Sequence, residues 1–146
     1  QIMKGYYKRQ DETDKTVIDG WLCTGDIGLM EPDGYFRIVD RKKDMIVTGG
    51  ENVYSTEVEN VLYMHPDILE AAVIGVPDSH WGEAVKACVV LKEKRKVNEP
   101  GIIAFCKENL AHYKAPKSVE FLEALPKTGS GKIYKKGLRE PFMQKN

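Results

Sequence analysis

Two apolar runs separated by a short polar segment constrain the fold of this chain more than any other feature. Residues 71–76 and 84–91 are mainly apolar, and the segment PDSHWGE lies between them. Short apolar runs bounded by Pro, Asp, Ser and Gly are typical of buried strands joined by a turn. The pattern predicts two strands that pair antiparallel.

Two further segments have the periodicity and the start signals of helices. Before the first, Ser55 or Thr56 can act as the cap, and Thr56 with Glu59 matches a capping box. Before the second, Asn98 is the predicted cap. The apolar residues that follow Asn98 at helical spacing are Ile102, Ile103, Cys106 and Leu110.

Weaker sequence signals complete the fold prediction. The stretch GWLCTGDIG is rich in glycine and is interpreted as a loop. The remaining predicted elements are a turn at Asp33-Gly34 leading into a strand over 35–39, short strands over 45–47 and 117–122, and a terminal helix over 134–142 that stops near Pro141. We therefore predict an α+β fold: a small domain with a short hairpin and a mainly antiparallel three-stranded sheet packed with helices.

Length and composition exclude several functional classes. With 146 residues, 42% of them hydrophobic, the chain can form one compact core. Lys plus Arg equals Asp plus Glu at 22 each, so no overall field attracts nucleic acid, and no apolar run is long enough to cross a membrane. Cys23, Cys88 and Cys106 are odd in number and lack metal-ligand spacing, which predicts no disulfide framework, no metal site and a reducing, cytoplasmic compartment. The chain begins with Gln1, and we expect a piece of a longer protein.

The stretch LPKTGSGKIYKK allows three interpretations: a phosphate-binding loop, a flexible tether, or an arm that carries one amine elsewhere. A P-loop has the pattern GxxxxGK followed by Ser or Thr. Pro126 stands where its first glycine is required, and Ile133 follows Lys132, so a P-loop is excluded. Composition alone leaves open a solvated Gly/Ser loop whose lysines face water.

Five motifs follow one another along the whole chain: GWLCTGDIG, DRKKDMIVTGGENVYSTEVE, VIGVPDSHWGE, HYKAPK and LPKTGSGKI. In this order and at this spacing they resemble the closing third of the adenylate-forming acyl-CoA synthetases, the superfamily that includes 4-coumarate ligases and luciferases. The resemblance implies that residues 1–41 are the tail of a large N-terminal adenylating domain, with the ribose-binding aspartate loop and the approach to a hinge. Residues 42–146 would be the mobile C-terminal domain.

The resemblance also implies a two-step reaction. A carboxylic acid, expected to be a fatty or aryl acid, and MgATP give an acyl-adenylate and diphosphate, and the thiol of coenzyme A then displaces AMP to give acyl-CoA. The implied cofactors are ATP or AMP, coenzyme A and Mg²⁺, which the N-terminal domain outside this chain would mainly bind. That domain is also the implied protein partner. The chain alone is therefore expected to perform neither half-reaction.

Three residues near the start of the chain match positions with roles in the family. The resemblance implies that Asp26 accepts hydrogen bonds from the ribose hydroxyls, which suits an ionised carboxylate because it has acceptor sites for two donors. Arg41 matches an arginine that also reaches the ribose. Lys43 matches the hinge about which the C-terminal domain turns between the two half-reactions. As isolated residues, they would be a loop cap and two solvated charges.

Four later residues match family positions that act in the two half-reactions. The resemblance implies that Gly49, Gly50 and Glu51 line the passage for the pantetheine arm of coenzyme A, where glycine lets a ligand approach the backbone closely. Lys132 matches the adenylation lysine. Its ammonium would relieve the repulsion between a carboxylate and the α-phosphate, and the neighbouring glycines would give its arm reach.

A second hypothesis is a non-catalytic binding or regulatory module that retains the small-domain fold. The combination of Lys132, Asp26 and Arg41 favours the enzyme, because a module without catalysis has no chemical need for all three. The acyl substrate cannot be inferred from these residues.

Overall fold

The computed structural model describes residues 3–93 and 96–143. These residues form two compact units, Gln1–Lys43 and Asp44–Asn146, with their boundary two residues after the predicted division at 41/42. The assignment of the two parts to a large and a small domain stays a prediction. In the described residues, no helix is long and apolar enough to cross a membrane.

The first unit is built from one short helix and two hairpins. Its elements are α1 Gln10–Thr16, β1 Val17–Ile18, β2 Trp21–Leu22, β3 Asp26–Met30 and β4 Phe36–Arg41. The pair β3–β4 is antiparallel, and Glu31 N donates to Tyr35 O across its turn (2.8 Å). The hairpin predicted around Asp33-Gly34 is therefore confirmed.

The interpretation of GWLCTGDIG as a loop is wrong in part, because Trp21–Leu22 form β2 and residues 26–28 belong to β3. Strands β1 and β2 pair antiparallel around Asp19 and Gly20, whose φ angles are 50° and 80°. Positive φ at both central residues makes a type I′ turn, for which Asp-Gly is a preferred sequence. The Asp19-Gly20 dipeptide was thus the signal that sequence reasoning missed.

The second unit is one sheet with helices on both faces. Its elements are β5 Ile46–Thr48, β6 Glu51–Val53, α2 Ser55–Met64, β7 Ile68–Asp78, β8 Gly82–Leu91, α3 Glu99–Asn109, β9 Ser118–Phe121 and α4 Lys135–Met143. The strand order is β6-β5-β8-β7, and β9 pairs with β8. All pairs are antiparallel except β8–β9, which is parallel.

The α+β class and the central β7–β8 hairpin are confirmed, but the sheet has five strands where the sequence predicted three. Strand β6 has the sequence ENV, in which only Val53 is apolar. Such a segment has no alternation to detect. Its pairing with β5 follows instead from the turn at Gly49 and Gly50.

Alternate side chains of β7 enter two separate apolar clusters, one on each face of the sheet. Ala71 and Val73 pack with residues of α2 and α3, whereas Ala72 and Ile74 pack with Leu138 of α4. A sheet covered on both faces has nearly continuous apolar strands. This explains why residues 71–76 show no polar alternation.

Two helix boundaries differ from the prediction. Tyr54 is the N-cap of α2 and its side chain makes no capping hydrogen bond, so the predicted Thr56–Glu59 capping box is wrong. Glu59 Oε1 instead accepts a hydrogen bond from Val73 N (2.8 Å), which ties α2 to β7. The terminal helix α4, Lys135–Met143, is shifted by one residue from the predicted 134–142, and it ends two residues after Pro141.

The predicted cap of α3 is confirmed and gives a stability test. Asn98 Oδ1 accepts from Gly101 N (3.0 Å). Asn98→Ala removes this acceptor and should lower the free energy of unfolding by about 1 kcal/mol. Asn98→Asp keeps an acceptor and should remain within about 0.5 kcal/mol of wild type. Urea denaturation of the three proteins measures both values, and equal midpoints would show that the cap does not contribute.

Candidate functional site

Asp26 and Arg41 face one another across the hairpin of the first unit. They are register partners at the ends of β3 and β4, and Arg41 Nε lies 3.3 Å from Asp26 Oδ1. Both side chains remain accessible, with 27% of the Asp26 side chain and 56% of the Arg41 side chain exposed. The pair therefore offers an oriented carboxylate and a cation, which together suit a ligand that carries hydroxyl and anionic groups.

The end of β4 is held in place by hydrogen bonds next to this pair. Asp40 is 4% exposed, and its Oδ1 accepts from Arg41 N (2.7 Å). Lys42 N donates to Gly25 O (2.8 Å), so the chain after β4 stays attached to the residue that precedes β3. The exposed Lys43 follows directly and is the last residue of the first unit.

A cavity of about 400 Å³ in the first unit lies beside these residues, and three of its lining side chains are cationic. It is lined by Thr24, Gly25, Arg41, Lys42 and Lys43. The predicted ribose arginine and the predicted hinge lysine thus lie in one place. Charges of this sign attract an anionic ligand.

Gly49 and Gly50 form the turn between β5 and β6, and they have different surroundings. Their φ angles are 59° and 84°, a region that side-chain-bearing residues rarely adopt. A β-carbon on Gly49 would lie 2.7 Å from Cε3 of Trp81, whereas a β-carbon on Gly50 would meet nothing within 4 Å. Gly49 therefore permits close packing against an indole, and Gly50 borders open space.

A second, smaller cavity of about 100 Å³ lies beside this turn. Its lining residues are Thr48, Gly49, Glu51, Trp81, Tyr113 and Lys117. Lys117 Nζ lies 5.7 Å from the centroid of the Trp81 ring. An aromatic face next to an ammonium suits a planar ligand with negative charge. Sequence reasoning assigned no role to Trp81, Tyr113 or Lys117, although exposed aromatic residues in polar turns were a usable signal.

Two polar contacts hold the loops that carry Trp81 and Tyr113. Asp78 Oδ1 accepts from His80 N and Trp81 N, both at 2.9 Å, and these bonds lower the pKa of the Asp78 carboxyl. Lys114 Nζ lies 2.7 and 2.8 Å from the two carboxylate oxygens of Glu57, which raises the pKa of the Lys114 ammonium. Both loops are therefore anchored close to the aromatic residues that they carry.

Lys132 lies at the end of a compact hairpin rather than in an extended loop. Thr128 N donates to Lys132 O (2.7 Å), and Lys132 N donates to Thr128 Oγ1 (3.2 Å). Gly131 has a φ of 80°, so it serves the turn geometry. The Lys132 side chain is exposed, while Ile133 packs against the apolar cluster of α4. The lysine is thus presented to solvent from an anchored base.

The predicted site residues fall into three groups in the structure. Asp26, Arg41 and Lys43 lie together in the first unit, and Gly49, Gly50 and Glu51 lie in one turn of the second unit. Lys132 does not line the cavity beside that turn. In residues 3–93 and 96–143, no group of three or more His, Cys, Asp or Glu is arranged to hold a metal ion.

Comparison with protein families matches residues 57–132 to the model described as the AMP-binding enzyme C-terminal domain. A feruloyl-CoA synthase from an Amycolatopsis species is 50% identical over 141 residues, which are 97% of this chain and 29% of that protein. A long-chain-fatty-acid–CoA ligase from Bacillus subtilis is 51% identical over 140 residues, which are 96% of this chain and 25% of that protein. The chain thus spans less than a third of the length of these relatives.

Solved structures resemble the chain along nearly its whole length. MatB from Rhodopseudomonas palustris with ATP bound has a TM-score of 0.89 and 37% identity, covering 97% of this chain and 28% of that one. A fatty acyl-CoA synthetase from Mycobacterium tuberculosis has a TM-score of 0.71 and 47% identity, covering 95% and 28%.

The different surroundings of Gly49 and Gly50 can be tested by fluorescence in a Trp21→Phe background, where Trp81 is the only tryptophan. Both Gly49→Ala and Gly50→Ala place a β-carbon at positive φ, so they share the backbone strain. Only Gly49→Ala should displace the Trp81 ring and shift its emission, because only Gly49 contacts it. Equal emission spectra for the two variants would contradict the described packing.

Proposed function

We propose that this chain, which belongs to the AMP-binding enzyme C-terminal domain family, is the C-terminal part of an acyl-CoA synthetase. The complete protein would convert a carboxylic acid, ATP and coenzyme A to acyl-CoA, AMP and diphosphate through an acyl-adenylate. The observation that carries this proposal is a sequence identity of 50% and 51% to two enzymes named for acyl-CoA formation, over nearly the whole of this chain. One is named for an aryl acid and the other for long-chain fatty acids, which supports either kind of acid as the substrate.

Residues 1–41 would be the end of the large adenylating domain, and residues 42–146 the mobile C-terminal domain. The separation of the chain into two compact units near this boundary supports the division. Because the large domain would supply the ATP and acid sites, the isolated chain is expected to be inactive. Mg²⁺ would also be held by that domain. Three free cysteines support a cytoplasmic location.

Asp26 and Arg41 would bind the ribose of ATP and of the acyl-adenylate. The Asp26 carboxylate has acceptor sites beyond those used by Arg41, so it can take hydrogen bonds from the ribose hydroxyls. Arg41 orients this carboxylate, since its Nε lies 3.3 Å from Asp26 Oδ1. The cationic cavity beside the pair fits a nucleotide, which carries negative charge next to its sugar.

Lys132 would act in the first half-reaction. The attacking carboxylate and the α-phosphate are both anionic, so an ammonium placed between them lowers the barrier by stabilising the charge that develops in the transition state. The exposed side chain on an anchored hairpin supports this role, because the amine can enter another domain's active site while its backbone stays ordered. In this proposal the glycines shape the turn, and the lysine side chain supplies the reach.

The turn at Gly49 and Gly50, with Glu51, would line the route of coenzyme A in the second half-reaction. The open space beside Gly50 leaves room for a thin pantetheine chain. Trp81, Tyr113 and Lys117 extend this surface with aromatic faces and a cation. Such groups suit the purine and the phosphates of coenzyme A.

A non-catalytic module with the same fold is the second candidate. The exposed Trp81 and the adjacent cavity are consistent with such a module, because they form a surface that can bind a ligand. The non-catalytic hypothesis does not explain why the same chain has an Asp26–Arg41 pair and an exposed Lys132. The half-reaction assays below separate the two candidates.

The hinge proposal predicts an effect of proline at residue 43 in the complete enzyme. Lys43→Pro fixes φ at that residue and should trap the C-terminal domain in one orientation. Overall acyl-CoA formation should then fall much more than one of the two half-reactions measured separately. Lys43→Arg, which keeps both the positive charge in the cavity and a free backbone, is the matched control and should change both half-reactions little. If Lys43→Pro instead causes equal, small losses in both half-reactions, residue 43 lies in an ordinary solvated turn.

Lys132 and Gly50 should affect different half-reactions of the complete enzyme. Lys132→Ala should slow acyl-adenylate formation by about 100-fold or more, because it removes a transition-state contact. It should leave thioester formation from supplied acyl-adenylate unchanged. Gly50→Leu should do the reverse by placing a side chain in the pantetheine route.

Single-turnover assays of each half-reaction measure both effects, and Gly50→Ala controls for strain at positive φ without the longer side chain. If Lys132→Ala and Gly50→Leu slow the same step, the roles assigned to these residues are wrong, even though the family assignment stands.

A further inference from the structure

Helix α4 begins three residues after Lys132 and makes two ion pairs to separate parts of the second unit. Near its start, Lys135 Nζ lies 2.7 Å from Glu59 Oε1 and 2.8 Å from Ser55 Oγ on α2. One turn later, Arg139 Nη2 lies 2.5 Å from Asp44 Oδ1. Residues four apart lie on the same face of a helix, so one face of α4 carries both contacts.

These pairs are shielded from water. The Lys135 and Glu59 side chains are each 15% exposed, and the Arg139 and Asp44 side chains are 21% and 12% exposed. By contrast, in the surface pair of Arg37 with Glu31, the Arg37 side chain is 63% exposed. Exposed ion pairs contribute little to the stability of a fold. Removing one partner of a shielded pair costs more, because it leaves the other charge buried without a counter-charge. The contacts of α4 therefore resist separation more than ordinary surface contacts do.

The partners of α4 lie shortly after the segments to which the proposed function assigns movement and coenzyme A binding. Asp44 follows the proposed hinge residue Lys43 directly, and Ser55 begins the helix that follows the glycine turn. Leu138 and Phe142 of α4 also pack on the sheet, which fixes the same helix by apolar contacts. Helix α4 thus connects the start of the unit to the hairpin that presents Lys132.

We propose that Arg139 and Lys135 are positioning residues for Lys132. Their ion pairs with Asp44 and Glu59 hold the Lys132 hairpin at a set distance from the hinge, so that turning at Lys43 moves the ammonium as part of a rigid body. The inference rests on the proposed function of Lys132. The position of the Lys132 ammonium is important because a displacement of about 1 Å at a reacting group can lower a rate by about 100-fold.

The test uses the complete enzyme and assays the two half-reactions separately. Arg139→Gln should slow acyl-adenylate formation by about 10- to 100-fold and change thioester formation from supplied acyl-adenylate by less than about twofold. Arg139→Lys keeps the charge and should recover part of the loss. Glu140→Gln removes an exposed charge from the same helix and is the matched control, which should resemble wild type. Lys135→Gln is the second variant, for use if Arg139→Gln does not fold.

A structural measurement accompanies the rates. Amide hydrogen exchange over residues 126–134 should become faster in Arg139→Gln and Lys135→Gln, and remain unchanged in Glu140→Gln. The inference is overturned if exchange in this hairpin is unaffected, or if both half-reactions slow equally. Lys132→Ala is assayed in parallel. If it leaves adenylation intact, the proposed role of Lys132 fails, whereas an effect of Lys132→Ala without an effect of Arg139→Gln defeats only the positioning role.

Discussion

The antiparallel pairing of β7 with β8 is the interaction on which the rest of the second unit depends. Its register runs from Ile68 opposite Leu91 to Asp78 opposite Gly82, and its side chains supply both apolar clusters. Helices α2 and α3 cover one face and α4 the other. Because burial of apolar area is the main favourable term in folding, each helix depends on this hairpin for its place.

The candidate functional groups of the second unit lie at turns around this core, where the backbone can be exposed. Gly49 and Trp81 meet where β5 pairs with the start of β8, and Thr48 is the register partner of Gly82 there. Lys132 projects from a hairpin that Leu125 and Ile133 attach to the apolar cluster of α4. A rigid sheet with candidate functional groups at its margins suits the mobile domain proposed for this unit, which would present different surfaces in the two half-reactions.

The sequence predicted the elements whose signals are local. The apolar runs of β7 and β8, the Asn98 cap and the Asp33-Gly34 turn were recognisable because periodicity, capping and turn chemistry depend on neighbouring residues. Strand β6 was not recognisable, because its sequence ENV has no apolar alternation. The start of α2 was also not predicted, because a side chain assigned to its cap makes a tertiary contact instead. Glu59, for example, bonds to Val73 of β7 rather than completing a capping box.

The sequence by itself determined the fold class, the family resemblance and the identities of the candidate residues, since these follow from local patterns and ordered motifs. Only the tertiary structure decided which groups meet: Asp26 with Arg41 across a hairpin, Trp81 with Gly49, and Arg139 with Asp44. These partners are separated along the chain, and no local pattern encodes their distance. Their contacts exist because burial of the apolar clusters brings the second unit's segments together and strand register aligns the pair in the first.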